Sequence, residues 1–128
     1  KLSKSYKLGL ISDTGFTTGK ILSAVLDSYD ILKYFTTTVF SDEVMLYKPH
    51  PTLFKICLDN LDVKPHEAIH IGDLLETDIT GAKNFGMKAI WINNQEGFPL
   101  IEAPLDMQKP DFEITHVTEI TQILPQMA

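Results

Sequence analysis

The sequence predicts an α/β fold, a Rossmann-like parallel sheet with helices on both faces. Three observations carry this. Short apolar and β-branched runs alternate with longer segments of helical period along the 128 residues. The runs are apolar nearly throughout, as strands buried on both faces are. Polar, chemistry-bearing residues gather just after the runs, at the carboxyl ends of parallel strands, where active residues collect.

The elements follow in order. Residues 6–12 (YKLGLIS) read as a buried strand. Thr17, Thr18 and Gly19 offer an N-cap, and Ile21, Leu22, Val25, Leu26 and Tyr29 follow at helical spacing. Residues 37–40 (TTVF) are short and β-branched, a second strand. Pro51 suits a first helical turn, and Phe54, Cys57, Leu58 and Leu61 form one apolar helix face. Residues 68–71 make a third strand. Leu75, Ile79 and Ala82 mark a short helix that Gly86 stops in a left-handed cap. Residues 88–92 (KAIWI) are a fourth strand. Residues 93–111 lack a period and contain Pro99, Pro104 and Pro110, so they read as a surface loop. Residues 112–114 suit an edge strand, and Val117, Ile120 and Leu124 a last helix. No repeat or linker divides the chain, which predicts one domain over residues 1–128.

Composition excludes several classes. A hydrophobic share of 44% with 22% charged residues is that of a globular chain, not a disordered one. Eleven basic against seventeen acidic residues, net −6, argue against a nucleic-acid-binding face. One cysteine excludes an internal disulfide and a thiolate metal cage. No apolar run approaches the roughly 20 residues of a membrane helix, and the first residues lack a signal-peptide pattern. Cytoplasmic residence is the default expectation. Residue 1 is Lys rather than Met, so the chain is expected to be a processed, cloned or truncated piece.

The strand ends carry the chemistry. Ser12-Asp13-Thr14 follow the first strand. Ser41-Asp42-Glu43 follow the second, with Lys48-Pro49 beyond. Gly72-Asp73 follow the third, with Asp78 five residues on. A hydroxyl with the N–H groups after it suits phosphate oxygens, and a lysine neutralises developing charge. Two carboxylates suit Mg²⁺, a hard cation that prefers oxygen. Gly72 leaves room for close backbone approach.

At these residues the chain resembles the core domain of the haloacid dehalogenase superfamily. LGLISDT is similar to its second motif, YKPHPTLF to its third, and IHIGDLLETDITGAKNFGMKAIWI to its fourth. Lys48 lies 36 residues after Ser12 and Asp73 lies 25 after Lys48, in the family's order. The resemblance covers residues 6 to 93. It implies catalytic roles for Ser12 and Lys48 on the transferring group, substrate contacts by Asp13 and Thr14, and Mg²⁺ ligation by Asp73 and Asp78. It also implies a phosphatase of a small phosphorylated metabolite, working through an aspartyl-phosphate intermediate. The G-D-x-x-x-x-D pattern favours this over a metal-free dehalogenase.

The first motif, D-x-D-x-T/V, and the cap are missing. Only eleven residues precede Ser12, and none is acidic. The chain alone is therefore expected to be inactive. Asp13-Thr14-Gly15-Phe16-Thr17 offers a degenerate first motif, with Gly15 where an aspartate belongs. In the family the missing strand sits between those ending at Ser12 and at Asp73. The expectation is that a missing N-terminal segment or a second copy supplies it; direct pairing of the two strands is the other solution. A non-catalytic binding module derived from the fold is the competing reading. A two-component receiver fails on the order of its acids and lysine.

Other candidates read more simply as structure. Cys57 and Trp91 are expected in the core, and His70 as a packed mid-strand histidine. Asp42 and Glu43 read as surface acids.

Overall fold

The structure is a computed structural model describing residues 1–94 and 107–127. Most of the expected 93–111 loop lies outside the described residues. The chain divides into two compact units, Lys1–Lys64 and Pro65–Ala128. All five described strands pair in parallel, two in the first unit and three in the second.

The first unit contains β1 (Gly9–Ser12), α1 (Gly19–Ser28), β2 (Thr37–Phe40), α2 (Ser41–Val44) and α3 (Pro51–Leu61). The strand register runs from Gly9 opposite Thr37 to Ser12 opposite Phe40. Residues 6–8 fall outside β1 because its partner begins only at Thr37; one bond, Thr36 N–H to Leu8 O at 2.7 Å, precedes the ladder. The Thr18 hydroxyl caps α1 by accepting from Ile21 N–H. Pro51 opens α3, and Nδ1 of His50 accepts from Thr52 N–H. The apolar face of α3 is buried as expected: Leu53, Cys57 and Leu61 cluster with Val39, and Ile11, Val44, Leu46, Ile56 and Val63 pack on them. The Lys7 ammonium donates to Leu61 O at 2.7 Å, a cation on the carbonyl end of α3.

Two features depart from the sequence reading. The apolar stripe of α1 is real, but Ile21, Val25 and Tyr29 are exposed, with Leu22 and Leu26 half-buried. Periodicity identifies a helix without saying how much of its stripe is covered. The short helix α2 was not expected, because four residues cannot display a period.

The second unit contains β3 (Ile69–Gly72), a π-helical turn (Leu75–Ile79), α4 (Thr80–Asn84), β4 (Lys88–Ile92), β5 (Phe112–Ile114) and α5 (Ile120–Met127). Strand order is β3-β4-β5, which puts β5 at an edge as expected. Gly86 takes φ +90, the left-handed stop. Ala89, Ile90, Trp91, Ile79, Ala82, Ile114 and Ile120 are buried. The helix expected around Leu75 and Ile79 begins as a π turn, a form that often marks functional sites. The chain enters α5 through a capping box of His116 and Glu119. No helix among the described residues is long and apolar enough to cross a membrane.

Burial pushes the Cys57 thiol up to about 11, so at neutral pH it is an unreactive core group. We expect a thiol reagent to modify Cys57 in the native chain only at the rate of unfolding, and at once in denaturant. Fast native labelling in a dithionitrobenzoate assay would contradict the packing of α3.

Asp111 leads into β5. Its carboxylate accepts from the Lys83 ammonium at 2.8 Å and from Ala89 N–H at 2.8 Å. Burial pushes its pKa up, but these hydrogen bonds and the Lys83 and Lys88 charges outweigh that and hold it below the ordinary value. The charged form is thus favoured by folding. Its stabilisation is present above the unfolded carboxylate range near ~4 and is lost as pH falls through the lower folded value. Asp111→Asn is expected to cost about 1–2 kcal/mol at neutral pH, allowing for partial exposure. Urea titrations of both proteins should show that gap closing below about pH 4.

Candidate functional site

The first unit brings Ser12, Asp13, Thr14 and Lys48 together where β1 and β2 end. The Lys48 ammonium lies 3.5 Å from the carbonyl oxygen of Ile11, the residue before Ser12. The Lys48 N–H donates to Oδ1 of Asp13 at 3.0 Å. The lysine backbone and its head group are thus both referenced to β1. The Lys48–Pro49 peptide is cis.

Thr14 is buried, with 6% exposure, although it sits in a loop. Its N–H donates to Oγ of Ser41 at 2.7 Å, so that amide is already committed. Its Oγ1 lies 2.9 Å from Ser41 Oγ, 2.9 Å from Asp42 Oδ1 and 3.1 Å from the Asp42 N–H donor. One proton arrangement satisfies all of these. A carboxylate cannot donate, so the Thr14 hydroxyl donates to Asp42; Ser41 must then donate to Thr14. Ser41, at 1% exposure, is accounted for by the same circuit. Asp42 Oδ1 also accepts from Gly19 N–H, the first amide of α1, at 3.0 Å. Sequence reading missed Ser41 and undervalued Asp42. A polar pair after a strand is too common a signal to single out, and only the three-dimensional return of the β1 loop identifies it.

The second unit holds Asp73 and Asp78. Asp73 is exposed, immediately after β3. Its carbonyl accepts from the Trp91 indole N–H at 3.0 Å, and Trp91 stands opposite Gly72 in the ladder. Trp91 is a core residue as expected, with the added task of fixing the Asp73 backbone. Asp78 is 3% exposed. Its Oδ2 accepts from Leu74 N–H at 3.1 Å, and its Oδ1 lies 3.2 Å from Nε2 of the packed His70. It closes the Leu74–Asp78 turn on itself.

Mg²⁺ takes oxygen ligands and keeps several waters, so one or two carboxylates suffice on the protein side. The exposed, hard Asp73 carboxylate fits that demand. Oδ2 of Asp78 already accepts from Leu74 N–H and Oδ1 is paired with His70, which suits bracing the turn behind Asp73. Among the described residues no group of three or more acidic, histidine or cysteine side chains forms a metal cage.

The model of the haloacid dehalogenase-like hydrolases matches residues 1–92. The chain belongs to this family. It is 37% identical over 123 residues to a glyceraldehyde 3-phosphate phosphatase of Pyrococcus furiosus, covering 94% of this chain and 47% of the relative. It is 39% identical over 92 residues to an N-acylneuraminate-9-phosphatase of Rattus norvegicus, covering 71% and 36%. Among solved structures, a HAD phosphatase from Thermococcus onnurineus superposes with TM-score 0.78 at 34% identity, over 96% of this chain and 52% of that one. A 2-haloacid dehalogenase from Pseudomonas syringae superposes with TM-score 0.80 at 28% identity, over 99% and 50%. The chain thus spans about half or less of these relatives' length.

Gly72 explains how Asp78 reaches its place. A Cβ at Gly72 would stand 2.4 Å from Cβ and Cγ of Asp78. Gly72→Ala is expected to displace the Asp78 carboxylate and to destabilise the chain by about 1–3 kcal/mol. Thermal melts check the cost; loss of the protected Leu74 amide in hydrogen exchange checks the displacement.

Proposed function

We propose that the chain supplies the phosphate-facing and metal-facing loops of a Mg²⁺-dependent phosphatase acting on a small phosphorylated metabolite through an aspartyl-phosphate intermediate. The observation that carries this is the pairing of Lys48 with the end of β1. A cation and the Ser12 hydroxyl are brought to one strand end, as recognition of a phosphoryl group requires. The phosphatases among the relatives support the same class. In this reading Ser12 and Lys48 hold the transferring group, Asp13 keeps Lys48 in place, and Thr14 sets the loop. Asp73 holds the Mg²⁺, which when bound neutralises phosphate charge, and Asp78 supports the turn behind it.

No D-x-D sequence occurs anywhere in the chain. The nucleophile and the acid/base aspartate therefore come from elsewhere, and this chain binds without turning over. Asp13 as a nucleophile fits less well, since its carboxylate is engaged with the Lys48 N–H. β1 pairs with β2 on one edge and β3 with β4 on one edge. We read their other edges as seats for a strand from an N-terminal segment or a second copy. The same reading treats residues 1–128 as one catalytic core domain of a cytoplasmic enzyme.

The test uses this chain with inorganic phosphate, Mg²⁺ and p-nitrophenyl phosphate. Phosphate should shift the Ser12 and Lys48 amide signals, and Lys48→Ala should weaken that binding about tenfold or more. Asp73→Asn should remove the Mg²⁺ response near Asp73. Ester turnover should be absent. Mg²⁺-dependent turnover abolished by Asp13→Asn would overturn the assignment and make Asp13 the nucleophile.

A further inference from the structure

We infer that Asp42 is a positioning residue of the phosphate-facing loop. This deepens the phosphate-site reading and rests on it. One oxygen, Oδ1, receives both the Thr14 hydroxyl at 2.9 Å and the Gly19 amide at 3.0 Å. Those two donors bracket residues 15–18, so a single acceptor pins both feet of that arch. All four arch residues are exposed, and Phe16 has no cover at all. The arch has no apolar packing of its own to fix its shape. Its order comes from its feet.

The feet matter because of what adjoins them. Thr14 is two residues from Ser12 and next to Asp13, which holds the Lys48 N–H. Gly19 is the first residue of α1. Asp42 is the second residue of α2, and Lys48 follows four residues after that helix ends. The Asp42 side chain therefore ties the segment bearing Ser12 to the segment bearing Lys48. Its backbone N–H closes the same tie on Thr14 Oγ1 at 3.1 Å. The cross-tie works through acceptor geometry: the Gly19 and Thr14 donors need an oxygen at that point. The negative charge adds a favourable end to the α1 dipole but is not what aligns the loop.

That distinction supplies the test. Asn at position 42 retains a carbonyl oxygen that can accept from both donors; Ala retains neither the oxygen nor the bond. Inorganic phosphate is titrated into the full chain and its variants, followed by the Ser12 and Lys48 amide signals. Thermal melting is recorded alongside. Asp42→Ala should weaken phosphate binding roughly tenfold, a misplacement effect on groups it does not replace. Asp42→Asn should stay within about threefold of the parent, and the Gly19 amide should stay protected from exchange. Thr14→Val removes the hydroxyl donor at constant shape and should weaken binding in the same direction, which covers the case of an unfolded Asp42→Ala. Folded Asp42→Ala or Thr14→Val that bind phosphate as the parent does would overturn the inference. So would Asp42→Asn that fails as badly as Asp42→Ala, because charge rather than geometry would then be at work. If phosphate shifts neither Ser12 nor Lys48 in the parent chain, the phosphate-site reading itself has failed, and that result is visible before any variant is made.

Discussion

A parallel strand pair stops abruptly. At its carboxyl end the ladder no longer satisfies backbone groups, and the chain must leave in a loop that finds other partners. Both described loops of this protein are answers to that constraint. After β1, Ser41 and Asp42 take the Thr14 and Gly19 amides. After β3, the Trp91 indole takes the Asp73 carbonyl, and the Asp78 carboxylate takes the Leu74 amide. In each case side chains take over the backbone groups that the ladder no longer reaches.

The two solutions differ in charge. The first loop gathers a hydroxyl and an ammonium, with its two carboxylates already accepting from N–H and O–H donors. It is suited to an anion. The second offers the outward carboxylate of Asp73 while the inner one is enclosed by His70 and Leu74. It is suited to a cation. Each unit thus ends one of its strands in a loop of its own electrostatic character.

Much of this was legible from the residues. Strands of β-branched and apolar residues, the Pro51 start of α3 and the Gly86 stop were recovered because each rests on a local rule: buried pattern, fixed φ, or freedom to take positive φ. The same pattern put Ser12 and Asp73 at strand ends, and the structure has Ser12 closing β1, Lys48 beside it and Asp73 just past β3. What was not legible is long-range. Thr14 read as a phosphate contact, yet its amide is spent on Ser41, 27 residues away. Asp78 read as a metal ligand, yet it is enclosed by His70, whose partner depends on how the turn after β3 folds back. The exposed side of α1 was hidden for a similar reason, since a stripe of Ile21, Val25 and Tyr29 says nothing of what lies opposite.

The pairing of Asp13 with Lys48 bears on how such a site tolerates change. Lysine is a flexible point charge on a long stem and by itself is poorly aimed. Here its backbone amide is fastened to Asp13, just past β1, and its head lies against the Ile11 carbonyl within β1, so both ends of the lysine are held at that strand end. Ser12 lies between those two points in the chain. Both ties fall within one residue of Ser12, so Lys48 follows that end of the strand when it moves. The register of Ser12 opposite Phe40 sets where that strand end stands, and the two ties set where Lys48 stands against it. The loop ties, and not the strands alone, therefore place the lysine at this strand end.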